Sequence, residues 1–195
     1  MKYYFGDTYH VESLDFAYVT IFSLLAGAIY YQVNLQGLVI YPSRHFVNAN
    51  ILNKLISIYG KDLTAQQEAH LKSDQRYMHI FYRLVDSDES LKKKSYNVYF
   101  NGVFWTSSID LFIVCIVFGF LYGCVFWQVT DASLFRDVVL TLATLSIILH
   151  VLCVRKHIAL SNNQLSFIET FKSQEVITNF NEILQQVREP KTSEG

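Results

Sequence analysis

The most reactive side chains of this sequence gather in its second half: Ser107, Asp110, Cys115, His150 and Cys153. His150 and Cys153 stand about one helical turn apart, which puts them on one helix face, and a packed neighbour could add the Cys115 thiolate to make a metal site. A histidine hydrogen-bonded inside a helix bundle explains the same residues with less, because spacing alone does not make a ligand set. Ser107, Asp110 and His150 are the residue types of an intramembrane hydrolase, yet no G-x-S-x-G elbow presents a nucleophile. Arg76 with His79, and Arg155 with His157, stand too close together for the arginine–histidine pair of a HEPN-type ribonuclease. There is no phosphate-binding P-loop, no dinucleotide-binding glycine pattern and no cysteine pair suited to zinc. The sequence therefore predicts no catalytic residues, no cofactor and no metal.

Whatever these residues do, two long apolar runs must position them. Leu111–Thr130 is twenty residues without a charge, enough at about 1.5 Å per residue to cross a hydrocarbon core of about 30 Å. Val138–Val154 adds seventeen uncharged residues closed by Arg155 and Lys156, whose long stems let their charges reach the interface. The polar link Asp131–Asp137 is too short for a domain, so the runs predict an antiparallel hairpin, with Asp131 or Ser133 capping the second helix. Trp105 and Trp127 bracket the first run as interfacial aromatics would. Asp110 has two readings: inside the membrane if the helix starts near Tyr99, or favouring a helix N-terminus if it starts at Leu111. Ser108, Cys115, Gly119 and Gly123 form a small-residue face, including a G-x-x-x-G, that another helix could approach closely.

A third apolar stretch comes first. No charge occurs from Phe16 to Ser43, and Pro42 marks an end, which predicts one tilted membrane helix over Leu14–Tyr41. Thr20, Ser23, Gly27, Tyr31 and Asn34 step by three or four along it, joined by Gln32 and Gln36. This polar stripe is either a tight helix–helix contact or the wall of a water-lined path. No cleavable signal is read in the first residues.

The remaining segments are polar. In Pro42–Ser95, Ile51, Leu52, Leu55, Ile56 and Tyr59 share a helical face that Gly60 would terminate, and Thr64 with Gln67 fits a capping box. Tyr77, Phe81, Leu84 and Val85 mark a further apolar face before the turn at Asp86–Ser90. Lys92, Lys93 and Lys94 can attract anionic lipid headgroups, or serve only as a topology signal. Tyr96–Thr130 is read as an interfacial lead-in plus the second span, and Arg155–Arg188 as a helical tail, with a helix start at Ser161–Gln164. In that tail Val176, Phe180, Ile183 and Val187 form a seam expected to pack on the Arg44–Ser95 segment or on another copy. Glu189–Gly195 reads as a disordered end.

At 195 residues and 51% hydrophobic composition, the chain is predicted to be an all-α integral membrane protein: three spans with a small helical cytoplasmic part. A formal net charge of −1 argues against direct nucleic-acid binding. Of the sixteen Lys and Arg, one precedes the first run, nine lie in Arg44–Lys94, one in the link and five from Arg155 on. The positive-inside rule then places residues 1–13 and the link outside, with the middle segment and tail in the cytoplasm.

This layout, a few membrane helices with a compact helical part and no catalytic motif, resembles the membrane effectors of bacterial anti-phage systems, those associated with retrons or cyclic-oligonucleotide signalling. The resemblance implies a multi-pass protein of the cell inner membrane, held silent by a cytoplasmic regulatory protein. Release would let copies assemble into homo-oligomers and disrupt membrane integrity, in the manner of abortive infection. A constitutive subunit or assembly factor of a larger membrane complex, and an intramembrane enzyme, are the alternatives.

Overall fold

The computed structural model describes residues 13–125 and 132–188, all helix and turn with no strand among them. The helices are α1 (Ser13–Val33), α2 (Leu35–Tyr59), α3 (Ala65–Lys72), α4 (Arg76–Asp86), α5 (Glu89–Val125), α6 (Ala132–Phe171) and α7 (Ser173–Arg188). The chain forms two compact units, Met1–Val39 and Ile40–Gly195.

In the first unit the single helix expected over Leu14–Tyr41 is broken at Asn34. This residue takes a left-handed conformation with φ 51°, one that asparagine tolerates better than most side chains. Its Oδ1 accepts a hydrogen bond from the Gly37 N–H at 3.1 Å, so the carboxamide caps the start of α2. Gly37 makes this possible, because a Cβ there would run into the Asn34 side chain. Pro42, expected to end the first helix, instead lies inside α2. Its missing N–H removes one bond from the backbone ladder, the one to the Leu38 carbonyl, and separately the Ser43 hydroxyl donates to the Ile40 carbonyl at 2.9 Å.

The second unit is built on α5 and α6, packed side by side. At 37 and 40 residues they are about 55 and 60 Å long, nearly twice a hydrocarbon thickness. Within them, Glu89–Phe120 and Leu134–Phe171 are long and apolar enough to cross a membrane. Because α5 begins at Glu89, Asp110 sits in the helix interior, which corrects the reading of Asp110 at an N-terminus. The cap is Asp88 instead, whose Oδ1 accepts the N–H groups of Ser90 and Leu91 at 2.9 and 3.1 Å. The helix start expected at Ser161–Gln164 is likewise absent, since α6 runs through to Phe171. Two of those side chains, Asn162 and Gln164, bond across helices rather than to the local backbone. The polar link is largely the first turns of α6, which starts at Ala132; Asp131, Trp127 and Glu189–Gly195 lie outside the described residues.

Around one end of this pair, α2, α3, α4 and α7 form a small bundle. Ile51, Leu52, Leu55 and Tyr59 of α2 are buried, as are Leu71, Tyr77, Phe81, Leu84 and Val85. Gly60, with φ 69°, closes α2 as expected, its N–H bonded to the Ile56 carbonyl at 3.1 Å. The Thr64–Gln67 capping box is complete, with bonds of 3.3 and 2.9 Å. On α7 the buried line is Val176, Phe180 and Leu184; Ile183 is only half-buried, and the side chain of Val187 lies outside the described residues. Packing is on the middle segment: the Phe180 ring stacks on Tyr59 at 5.0 Å, and the Tyr59 hydroxyl donates to Asn181 Oδ1 at 2.9 Å.

Phe180 is the keystone of this bundle, fully buried. Phe180→Ala is expected to destabilise it by about 3–5 kcal/mol. Tyr59→Phe, which removes one partly buried hydrogen bond, should cost about 1 kcal/mol. Thermal unfolding of the purified full chain, followed by circular dichroism, checks the ranking; equal losses would contradict it.

Candidate functional site

The facing sides of α5 and α6 carry most of the buried polar groups of the second unit. Asn101 Nδ2 donates to the Cys153 carbonyl at 2.9 Å and lies 3.5 Å from His157 Nδ1. Gln164 Nε2 donates to Ser95 Oγ at 2.9 Å. Asn162 of α6 accepts from Asn50 of α2 at 2.8 Å. Trp105 is wedged into this seam, its ring 5.0 Å from His157 and 6.3 Å from His150. It is buried, with 6% of its surface exposed, which corrects its expected role as an interfacial anchor facing lipid. Trp105 Nε1 and His150 Nδ1 are buried without a hydrogen-bond partner among the described residues.

The small-residue face belongs to the same seam. Ser108 and Cys115 are buried, Ser108 Oγ donating to the Trp105 carbonyl at 2.7 Å. A Cβ built on Gly119 would meet Val139 Cγ1 of α6 at 3.5 Å, so this stretch is occupied by the hairpin partner. The side-chain surroundings of Gly123 and Cys124 lie outside the described residues.

The candidates for chemistry are not gathered. Asn101 pairs with Cys153, and Cys115 lies about 21 Å further along α5. Among the described residues no three His, Cys, Asp or Glu side chains are placed to hold a metal ion. Ser107 is exposed on α5 while its neighbour Ser108 is the buried one, and His150 sits against Trp105. On α1 and the turn after it, Thr20, Ser23, Gly27, Tyr31, Gln32 and Asn34 are exposed and Gln36 half-buried. Asn34 has a second role there, as the cap of α2.

Lys92, Lys93 and Lys94 fan around the first turns of α5, as consecutive helical residues must. Lys92 lies 4.0 Å from Glu89, Lys94 stands over the Phe167 ring at 4.9 Å, and Lys93 is exposed. They do not converge on one point.

A basic cleft does converge, and the sequence reading did not single it out. A cavity of about 430 Å³ is lined by Arg44, His45, Asn48, Asn53, Lys72, Gln75 and Tyr77, among others. Burial pushes the Tyr77 phenol up, against the opposing pull of Lys72, so it is a hydroxyl donor at neutral pH. A second cavity of about 320 Å³ shares Arg44, Asn48 and Gln75 and reaches Trp105, His157 and Ser161. The one signal in the sequence was Arg44 itself, the first charge after a long uncharged run.

Gly119→Cys combined with Val139→Cys should cross-link within one chain under mild oxidation, altering monomer mobility on a denaturing gel without producing a dimer. A dimer band with no internal link would place that face between chains. No family model matches this chain, and no curated protein or solved structure is similar enough to it to carry an argument.

Proposed function

We propose that this chain is a multi-pass integral membrane protein that acts without catalysis, as an effector that compromises the membrane barrier when it is released from a partner or assembled with further copies. The observation that carries the membrane part is the outward surface of α5 and α6. Phe118, Phe120, Leu134, Leu140, Ile148 and Leu152 are all exposed, Leu134 by 75%. An apolar surface of that extent calls for lipid or protein around it. The seam between the helices is polar and hydrogen-bonded, an arrangement suited to a low-dielectric surrounding.

On this reading α1 is a third span, and the bundle of α2, α3, α4 and α7 lies in the cytoplasm, where most of the Lys and Arg fall. The exposed stripe on α1 supports the effector part. Polar side chains such as Ser23 and Gln32 are costly against hydrocarbon, so in a membrane they would turn toward protein or water. Further copies could supply that neighbour and line a path with the same groups. The same stripe also favours a second reading, in which a different membrane protein covers it and the chain is a constitutive subunit. Within the effector class, the resemblance to anti-phage effectors of the bacterial inner membrane gives the setting: a cytoplasmic regulator that restrains the protein until infection.

Induced expression of the chain in bacterial cells loaded with a potential-sensitive dye tests this. The full chain is expected to resist alkaline carbonate extraction and to depolarise the cells within minutes of accumulation. Ser23→Leu with Gln32→Leu should insert equally well and lose depolarisation, and it leaves the Asn34 cap intact. Depolarisation unchanged in the double variant would show that the stripe is packing. A parent chain that inserts but never depolarises would sink the effector reading and leave the subunit reading.

A further inference from the structure

We propose that the cleft at Arg44 binds a phosphate-ester anion, and that its source is the headgroup of an anionic phospholipid in the cytoplasmic leaflet. This rests on the membrane reading above and adds a specific lipid site to it. The charged side chains lining the cleft are Arg44 and Lys72, joined by His45, and no carboxylate lines it. Arg44 has no ion-pair partner among the described residues, which leaves its guanidinium free to take two phosphate oxygens at once. Lys72 is held at 2.6 Å by Glu68, in an exposed pair on one helix face, a contact weak enough to be shared with an incoming anion. Asn48, Asn53, Gln75 and Tyr77 supply neutral donors around the same space.

Two further observations place and support the site. Arg44 also lines the smaller cavity with Val98 and Trp105 of α5 and His157 and Ser161 of α6. This sets it beside the point where the uncharged run of α6 gives way to Arg155 and Lys156. Tyr96 and Tyr99, each 74% exposed, stand on the same stretch of α5, as aromatic residues do at headgroup level. The cleft is therefore at the depth of lipid phosphates. Between α3 and α4, Asp74 and Gln75 both adopt left-handed backbone, with φ 54° and 53°. Two adjacent strained residues of this kind persist where the surroundings fix them, and such strain concentrates at binding sites. Here it presents Gln75 to both cavities.

The test uses the full chain in uncharged detergent, with thermal stability and native mass spectrometry as readouts. The probes are short-chain phosphatidylglycerol, short-chain phosphatidylcholine and inorganic phosphate. Phosphatidylglycerol should bind and raise Tm, phosphatidylcholine should do neither, and inorganic phosphate should compete only at far higher concentration. Arg44→Gln and Lys72→Gln should each weaken phosphatidylglycerol by about fivefold and together by about 25-fold, as expected for loss of one basic contact each. Arg44→Lys should restore part of the loss. Replacing Lys92, Lys93 and Lys94 by Gln should leave the selectivity unchanged. Inorganic phosphate that matches phosphatidylglycerol at equal concentration would overturn the lipid source in favour of a soluble phosphate compound. Equal binding of both lipids, or selectivity lost with the three lysines and kept in Arg44→Gln, would overturn the site. Failure of the membrane reading is separable, because the chain would then be released by carbonate whatever its lipid selectivity.

Discussion

Hydrogen bonds across the α5–α6 seam determine how the rest of the second unit is arranged. Two apolar helices can slide and rotate against each other at little cost, because one leucine contact resembles the next. Asn101 on the Cys153 carbonyl and Gln164 on Ser95 remove that freedom, since any slip would strand a buried polar group. Gly119 against Val139 allows close approach further along the pair. With the register set, the extension of both helices beyond the apolar region becomes a fixed post. Asn50 then ties α2 to that post through Asn162, and Tyr59 carries the connection on to α7.

The same seam accounts for which parts of the molecule were legible in the sequence. The two apolar runs, the face of α2, the Gly60 stop and the Thr64 capping box all declare themselves through local signals, which the surroundings do not override. Ser161–Gln164 misled, because serine and asparagine usually compete for the backbone and mark helix ends. Here the partners of Asn162 and Gln164 lie across the interface, and no local pattern announces that. Trp105 was misread for a related reason: an aromatic near the end of an apolar run suits either the interface or a wedge between helices. Asn34 and Pro42 exchanged roles, with the residue that tolerates left-handed backbone making the break and the proline riding inside a helix. The convergence of Arg44, His45 and Lys72 could not be seen, since it depends on the turn between α3 and α4.

On the proposed reading, the architecture joins a lipid-facing pair to a small cytoplasmic bundle with no linker between them, because α5 and α6 pass through both. Any force that tilts the pair is then transmitted to the bundle, and a partner gripping the bundle restrains the pair. That coupling suits a protein whose activity is switched by assembly rather than by turnover of a substrate.

The central claim is that the α5–α6 hairpin crosses a membrane with its polar bundle in the cytoplasm, and labelling from outside the cell tests it most directly. Single cysteines at Ser87 and Ser133, in a chain otherwise free of cysteine, are exposed to a membrane-impermeant maleimide before and after the membrane is breached. The account predicts that Ser133→Cys is labelled in intact cells and Ser87→Cys only after breaching. Labelling of both positions from the same side would contradict a hairpin that spans, and labelling of Ser87→Cys alone in intact cells would reverse the orientation.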